Sequence, residues 1–171
     1  MNAVKTGESD KLISHRIRKP TKTDGANIWK LIKSIRTLDL NSTYSYLMLC
    51  EFYPETCAVA EEDQQIIGFV SAFRPPSSRD TIFVWQVAVH ESYRGKGLGR
   101  KLLQELLKRK GCENIHNLEA TISPSNLPSQ SLFKGLAKHL NCSCNITECF
   151  SEDLFPEPGH EAEQMYRIGP F

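Results

Sequence analysis

Apolar positions recur at two periods along this chain, and the switches between them predict its elements. Residues 13–18 read as a short strand, ended by Pro20, after which the Thr23-Asp24-Gly25 cluster offers a helix cap. Ile28, Leu31, Ile32 and Ile35 follow at i, i+3, i+4 and i+7, the stripe of a helix packed by one face. Ser42 is placed to cap a second helix carrying Tyr44, Leu47 and Met48, which must stop before Pro54. Residues 57–60 and 66–73, joined by a polar turn, read as a hairpin. Thr81–Val89, β-branched or aromatic at most positions, completes an antiparallel meander.

The helical period then returns. Leu98, Leu102, Leu103, Leu106 and Leu107 mark one face, and Gly111 stands where a C-cap glycine belongs. Residues 118–122 form the next predicted strand and 126–138 the next helix, with Leu132, Phe133 and Leu136 inward. Two late strands, near residues 144–150 and 165–168, flank a Pro/Gly loop. The order β-α-α-β-β-β-α-β-α-β-β predicts an α+β sheet, antiparallel first, with a strand–helix–strand crossover in its second half. No repeat or long linker divides the chain, so one domain over residues 12–171 is expected behind a flexible tail at residues 1–11.

Composition narrows the function classes. With 40% hydrophobic and 24% charged residues, the 171-residue chain is too apolar for a disordered protein and long enough to bury a core. Its 21 basic and 20 acidic residues leave a net charge of +1, too even for a nucleic-acid or polybasic membrane surface. No apolar run approaches the ~20 residues of a membrane span. The polar start lacks an export-signal pattern, so a cytoplasmic protein is expected, with Cys50, Cys57, Cys112, Cys142, Cys144 and Cys149 as free thiols. His139, Cys142, Cys144 and Cys149 lie close together. A Cys-x-Cys pair on a strand puts both sulfurs on one face, however, unlike the Cys-x-x-Cys pairs of zinc knuckles, and no metal is expected.

The chemistry concentrates at Arg94-Gly95-Lys96-Gly97-Leu98-Gly99-Arg100, between a strand and a helix. Alternate glycines let a backbone approach a ligand closely, and the helix behind them presents unpaired N–H groups at its positive end. Together with the flanking cations this makes a phosphate cradle. It is not a P-loop, because Gly97 rather than Ser or Thr follows Lys96. Nor is it a dinucleotide fingerprint, because the third glycine comes one residue early and antiparallel strands precede it.

Val87-Ala88-Val89-His90-Glu91-x-x-Arg94-x-x-Gly97-x-Gly99 closely resembles the signature of the Gcn5-related N-acetyltransferases (GNAT), although Glu91 replaces a common proline. Asn126-x-x-Ser129-x-x-Leu132-Phe133 resembles the helix that flanks the pantetheine arm in that family. The resemblance implies a mixed, mostly antiparallel sheet of six to seven strands with about four helices and a splay between strands four and five. It also implies acetyl-coenzyme A as co-substrate. Val87, Val89, Arg94, Gly95, Lys96, Gly97, Leu98, Gly99, Arg100, Asn126, Ser129 and Phe133 would hold it, with the Val87 main chain polarising the acetyl carbonyl. Phe133 stands where many members carry a tyrosine that protonates the departing thiolate. Tyr44 or Tyr46 would then serve, or the thiolate leaves unassisted.

A narrower group of the family is resembled by Asp39-Leu40-Asn41-Ser42-x-Tyr44-x-Tyr46-Leu47, Trp85-Gln86-Val87-Ala88-Val89, Leu118-Glu119-Ala120-Thr121-Ile122 and His160-Glu161-x-Glu163. These relatives acetylate the 4-amino group of L-2,4-diaminobutyrate for ectoine synthesis under osmotic stress, and commonly act as homodimers. The resemblance implies Asp39, Asn41, Tyr44, Trp85, Glu157, His160 and Glu161 as acceptor-binding residues. An alkylamine with a pKa near 10 is neutral in only about one molecule in a thousand at pH 7, so a base is needed. Glu119, Asp39 and the residue 157–161 loop supply the choices. Another diamine, a protein amine, or non-catalytic coenzyme A binding stays open at this point.

Overall fold

The computed structural model describes residues 15–171; the expected tail and the start of the first predicted strand, Ile13 and Ser14, lie outside the described residues. The elements are β1 (Arg16–Arg18), α1 (Gly25–Ser34), α2 (Thr43–Phe52), β2 (Cys57–Glu62), β3 (Gln65–Phe73), β4 (Thr81–Val89), α3 (Leu98–Leu107), β5 (Asn117–Ile122), α4 (Leu127–His139), β6 (Cys144–Phe150) and β7 (Glu163–Ile168). Their order is the expected one. A seven-stranded sheet runs β1-β2-β3-β4-β5-β7-β6, antiparallel throughout except for the β4–β5 pair that the α3 crossover makes parallel.

Local chemistry explains the boundaries. The Asp24 carboxylate accepts the Thr21 N–H at 2.7 Å and pairs with Arg18 Nη1 at 2.7 Å, fixing the start of α1. Ser42 Oγ accepts the Ser45 N–H at 3.3 Å and caps α2. Asp63 and Gln64, at φ 47° and 64°, make the two-residue turn with both centres left-handed that suits a twisted hairpin. The strands β2 and β3 therefore run closer to the turn than their apolar runs suggest.

Two expectations need correction. The second helix turns Tyr46, Leu49 and Cys50 inward, while Tyr44 and Leu47 are 68% and 38% exposed. Tyr46 anchors that rotation by packing edge-on against Phe69, with ring centroids 6.2 Å apart. Gly111 does not cap α3. The helix closes at Lys108, Arg109 is extended and donates to the Pro54 carbonyl at 3.1 Å, and Gly111 sits in a following 3-10 turn.

Two apolar layers sandwich the sheet. Ile28, Leu31 and Ile32 of α1 with Tyr46 and Leu49 of α2 cover Val59, Phe69 and Ala88 on one face. Leu98, Leu102 and Leu106 of α3 with Phe133 and Leu136 of α4 cover Val70, Val84, Leu118 and Tyr166 on the other. A β-bulge then sets the function-bearing geometry. Ser71 pairs with Gln86 but Ala72 with Val84, so Trp85 is the extra residue of β4. Before it, Ile82 and Val84 face the α3 layer; after it, Ala88 faces α1 and α2.

The bulge coincides with the parting of the sheet. β4 pairs with β5 only from Thr81, Ile82 and Phe83 to Asn117, Leu118 and Glu119. Beyond that point β5 keeps its partner β7, and residues 84–89 of β4 have no strand on that side among the described residues.

Candidate active site

The open half of β4 forms one wall of a cleft of about 740 Å³. The residue 93–100 loop and the start of α3 form its floor, α4 its second wall, and Ile35, Thr37 and Leu38 close one end. The strand's main chain points into this space. The His90 N–H bonds the Ile67 carbonyl at 2.8 Å, which makes every second residue of β4 face β3. Val89 and Val87 lie in the other phase, and the Val89 carbonyl accepts Arg94 Nε at 3.1 Å from the cleft side. Their N–H groups therefore face the cleft.

The floor has the form of an anion cradle. Gly95 and Gly97 have φ +72° and +78°, in the left-handed region. Gly97 is the N-cap of α3, so the first N–H groups of that helix are turned outward without intrahelical partners. A Cβ on Gly97 would meet nothing nearer than the Arg100 side chain at 4.0 Å, so backbone conformation, not crowding, demands glycine there. The loop is tied down around this shape. Lys96 Nζ donates to the Ser92 carbonyl at 2.9 Å and lies 5.6 Å from the Tyr93 ring centroid, while the Tyr93 hydroxyl bonds Glu62 of the β2–β3 hairpin. Across the cleft, Asn126 caps α4 by accepting the Ser129 N–H at 3.2 Å.

The structure thus brings together Val87, Val89, Arg94, Gly95, Lys96, Gly97, Leu98, Gly99, Arg100, Asn126 and Ser129 as cleft-lining residues. Phe133, on α4, is not among the cleft-lining residues; it is 3% exposed and packed in the core. Tyr93, Pro128, Ser131, Leu132 and Gly135 line the cleft as well. Leu132 belonged to the motif already quoted; the others were marked in the sequence only by their spacing from residues singled out.

The residues expected to take the acceptor lie outside that cleft. Asp39 and Asn41 occupy the α1–α2 connection, held from β4: Gln86 Nε2 donates to the Asp39 carbonyl at 2.7 Å, and the Tyr46 hydroxyl donates to Gln86 Oε1 at 3.2 Å and accepts the Asn41 N–H at 3.3 Å. Trp85 is 46% exposed on the bulge. Tyr44 points from the first turn of α2 to solvent. Glu119 accepts from Arg167, its register partner on β7, through Oε1. In the last loop, the His160 ring stacks on Phe155 with centroids 3.6 Å apart, and its Nδ1 lies 2.7 Å from the Glu161 carbonyl, which assigns the proton to Nδ1. The Glu161 carboxylate accepts the Ser125 N–H at 3.3 Å, and Glu157 is exposed.

One acidic residue gains a role only in the structure. Glu163, at the start of β7, is half-buried, and burial pushes its carboxyl above the usual range. His160 and Thr121 oppose that shift, and Asp39 and Glu161 add to it. The charges that act on Glu163 therefore come from the α1–α2 connection and the last loop, the two segments expected to take the acceptor. Among the described residues no group of three or more His, Cys, Asp or Glu side chains is arranged to hold a metal ion.

Comparison with known proteins agrees with this geometry. Residues 26–137 match the acetyltransferase (GNAT) family. The chain is 53% identical over 171 residues to an L-2,4-diaminobutyric acid acetyltransferase of Marinococcus halophilus, covering 100% of this chain and 99% of that protein. It is 55% identical over 154 residues to one from Halalkalibacterium halodurans, covering 90% and 81% respectively. The diaminobutyrate acetyltransferase EctA from Paenibacillus lautus, solved with its substrate L-2,4-diaminobutyric acid and coenzyme A, superposes with a TM-score of 0.89 at 39% identity, covering 92% of this chain and 96% of that one.

Proposed function

Because this chain belongs to the GNAT acetyltransferase family, and within it to the diaminobutyrate acetyltransferases, we propose that it moves the acetyl group of acetyl-coenzyme A to the 4-amino group of L-2,4-diaminobutyrate. The product is N4-acetyl-L-2,4-diaminobutyrate, a precursor of ectoine. The observation that carries this reading is the continuity between the glycine cradle and the strand edge at Val87 and Val89, which β5 does not pair.

Each part of the cleft has a distinct task. The outward N–H groups at the start of α3 take the cofactor's diphosphate, whose charge the helix end favours. The pantetheine arm then lies along the open edge of β4, supplying the strand that β5 does not, with Asn126 and Ser129 on its far side. At its tip the thioester carbonyl meets the Val87 N–H. The neutral 4-amino nitrogen attacks the carbonyl carbon, negative charge collects on the oxygen, and a donor fixed at that place lowers the barrier. The carbon–sulfur bond breaks as the tetrahedral adduct collapses, and the extra proton on the adduct's nitrogen passes through solvent to the departing sulfur. A thiol pKa near 8.5 lets sulfur leave as thiolate without a dedicated acid, consistent with Phe133 in place of a tyrosine.

The acceptor enters from the opposite side of the splay. Asp39, Glu161 and Glu163 supply negative charge for its two ammonium groups, and Trp85 supplies an aromatic wall. Glu163, with its raised carboxyl pKa, receives the proton that the 4-ammonium must lose, directly or through water. Action in the cytoplasm as a homodimer is part of the same proposal. Sedimentation at assay concentration tests the dimer.

Release of free thiol from acetyl-coenzyme A, followed with diaminobutyrate beside ornithine, lysine, 1,3-diaminopropane and a lysine peptide, tests the activity. Diaminobutyrate is expected to give the highest kcat/KM, with the acetyl group on N4 by nuclear magnetic resonance. A faster peptide or polyamine would move the enzyme to another acceptor class, and no thiol release with any amine would make it a binding module.

A further inference from the structure

The polar chain running from the sheet interior to the acceptor loop has no part in the chemistry described above. Gln86 is 6% exposed and Tyr46 0%, both on the face of the sheet covered by α1 and α2. Burying a carboxamide and a phenol costs free energy unless each finds partners. Here both are used on one segment. Gln86 Nε2 holds the Asp39 carbonyl, and Tyr46 Oη takes the Asn41 N–H while donating to Gln86 Oε1. No residue of the loop itself supplies these contacts, and both anchors come from regular elements.

The strand position matters more than the bonds alone. Gln86 sits between the bulge residue Trp85 and Val87, whose N–H faces the cleft. Its side chain points to one face of the sheet and its successor's main chain to the splay, so one stretch of β4 fixes both the thioester donor and the loop carrying Asp39. We propose that Gln86 and Tyr46 are positioning residues that lock the α1–α2 connection in register with the reaction centre and so set the binding of the diamine. This inference rests on the reading of Asp39 as an acceptor residue. The diphosphate cradle is built from the residue 93–100 loop and α3, neither of which the lock holds, although Ile35, Thr37 and Leu38 at the start of the locked connection line the same cleft.

The test uses Gln86→Glu, which can still accept from Tyr46 but cannot donate to the Asp39 carbonyl, and Tyr46→Phe, which deletes one hydroxyl without changing shape. Ser71→Ala serves as the control. Ser71 Oγ is buried beside Gln86 in the β3–β4 register and has no hydrogen-bond partner, so its loss removes nothing the loop uses. Steady-state kinetics are expected to show KM for diaminobutyrate raised about tenfold in both test variants, with KM for acetyl-coenzyme A changed less than about threefold, the size of one lost buried hydrogen bond. Ser71→Ala is expected to match wild type in both.

A second readout does not depend on the acceptor. Arg36 is exposed at the start of the loop, and trypsin cleavage after it reports loop opening. Cleavage there is expected about ten times faster in both test variants than in wild type or Ser71→Ala. Equal rises in both KM values, or unchanged cleavage after Arg36, would overturn the lock. A wild-type enzyme that ignores diaminobutyrate would instead overturn the proposed reaction, and the cleavage comparison would still decide whether the lock exists.

Discussion

Replacing Gly97 with valine puts the cofactor cradle under a conflict it cannot resolve cheaply. The residue sits at φ +78°, where a β-branched side chain is an outlier, and holding it there costs about 1–2 kcal/mol. Space is no obstacle, since the nearest atom to an added Cβ is 4.0 Å away on Arg100. The chain has two outcomes. It keeps the left-handed turn and loses that stability, a fall in Tm of roughly 2–8 °C for a domain this size. Alternatively it leaves the turn, and the N–H groups at the start of α3 lose their aim. A hydrogen bond to a charged group is worth about 1.5–3 kcal/mol, so coenzyme A would bind roughly ten- to a hundredfold more weakly. Titration calorimetry with coenzyme A, beside thermal unfolding, reads both outcomes. Gly159→Val makes the comparison clean, because Gly159 has φ +81° with open space but lies outside the cleft. It is expected to lose a similar or smaller amount of Tm and bind coenzyme A within about twofold of wild type. A Gly97→Val protein with wild-type Kd, or equal weakening in Gly159→Val, would refute the cradle.

Other outcomes follow from the acidic groups. Asp39→Ala is expected to raise KM for diaminobutyrate and lower kcat/KM about ten- to a hundredfold with Tm within a few degrees of wild type, measured by thiol release and circular dichroism. Glu163, whose pKa burial raises, works as a base only when ionised. The kcat/KM for the diamine should fall as pH drops through that raised value, and Glu163→Gln should abolish this acid limb. Its stability effect has the opposite direction. A raised carboxyl favours the folded state at low pH and loses that favour as pH rises through the folded pKa, so Glu163→Gln should raise Tm at pH 7. At Asp24, burial pushes the carboxyl up, but Arg18 and Thr21 outweigh it and hold it below its usual range. Its stabilisation is present above the unfolded pKa and lost as pH falls through the folded one. Asp24→Asn should cost about 2 kcal/mol at pH 7, or roughly 4–8 °C in Tm by calorimetry.

The element order was legible because both periods are strongly marked: Ile28, Leu31 and Ile32 are buried on one face of α1, with Ile35 buried just past its end, and Thr81–Val89 is a strand from end to end. The cradle was legible because glycine spacing and flanking cations are local signals. What escaped depends on contacts between distant residues. The inward face of α2 is chosen by Phe69 and Gln86, and nothing within α2 distinguishes Tyr46 from Tyr44. Glu119 looked like a free base until Arg167 appeared opposite it in the β5–β7 register. Glu163 stood in a resembled motif without a role, because the partial burial that raises its carboxyl and the charges of Asp39 and His160 acting on it belong to the folded chain. The bulge at Trp85 has no signature in β4 alone, yet it decides which side chains face which layer.

The central claim is that a thioester cofactor lies with its diphosphate on the glycine turn and its pantetheine arm along the open edge of β4. A crystal structure of the enzyme with coenzyme A tests it most directly. The account predicts diphosphate oxygens within hydrogen-bond distance of the main-chain N–H groups at the start of α3, and the arm bonded to Val87 or Val89. A diphosphate bound away from residues 94–100, or an arm that leaves the β4 edge untouched, would contradict it.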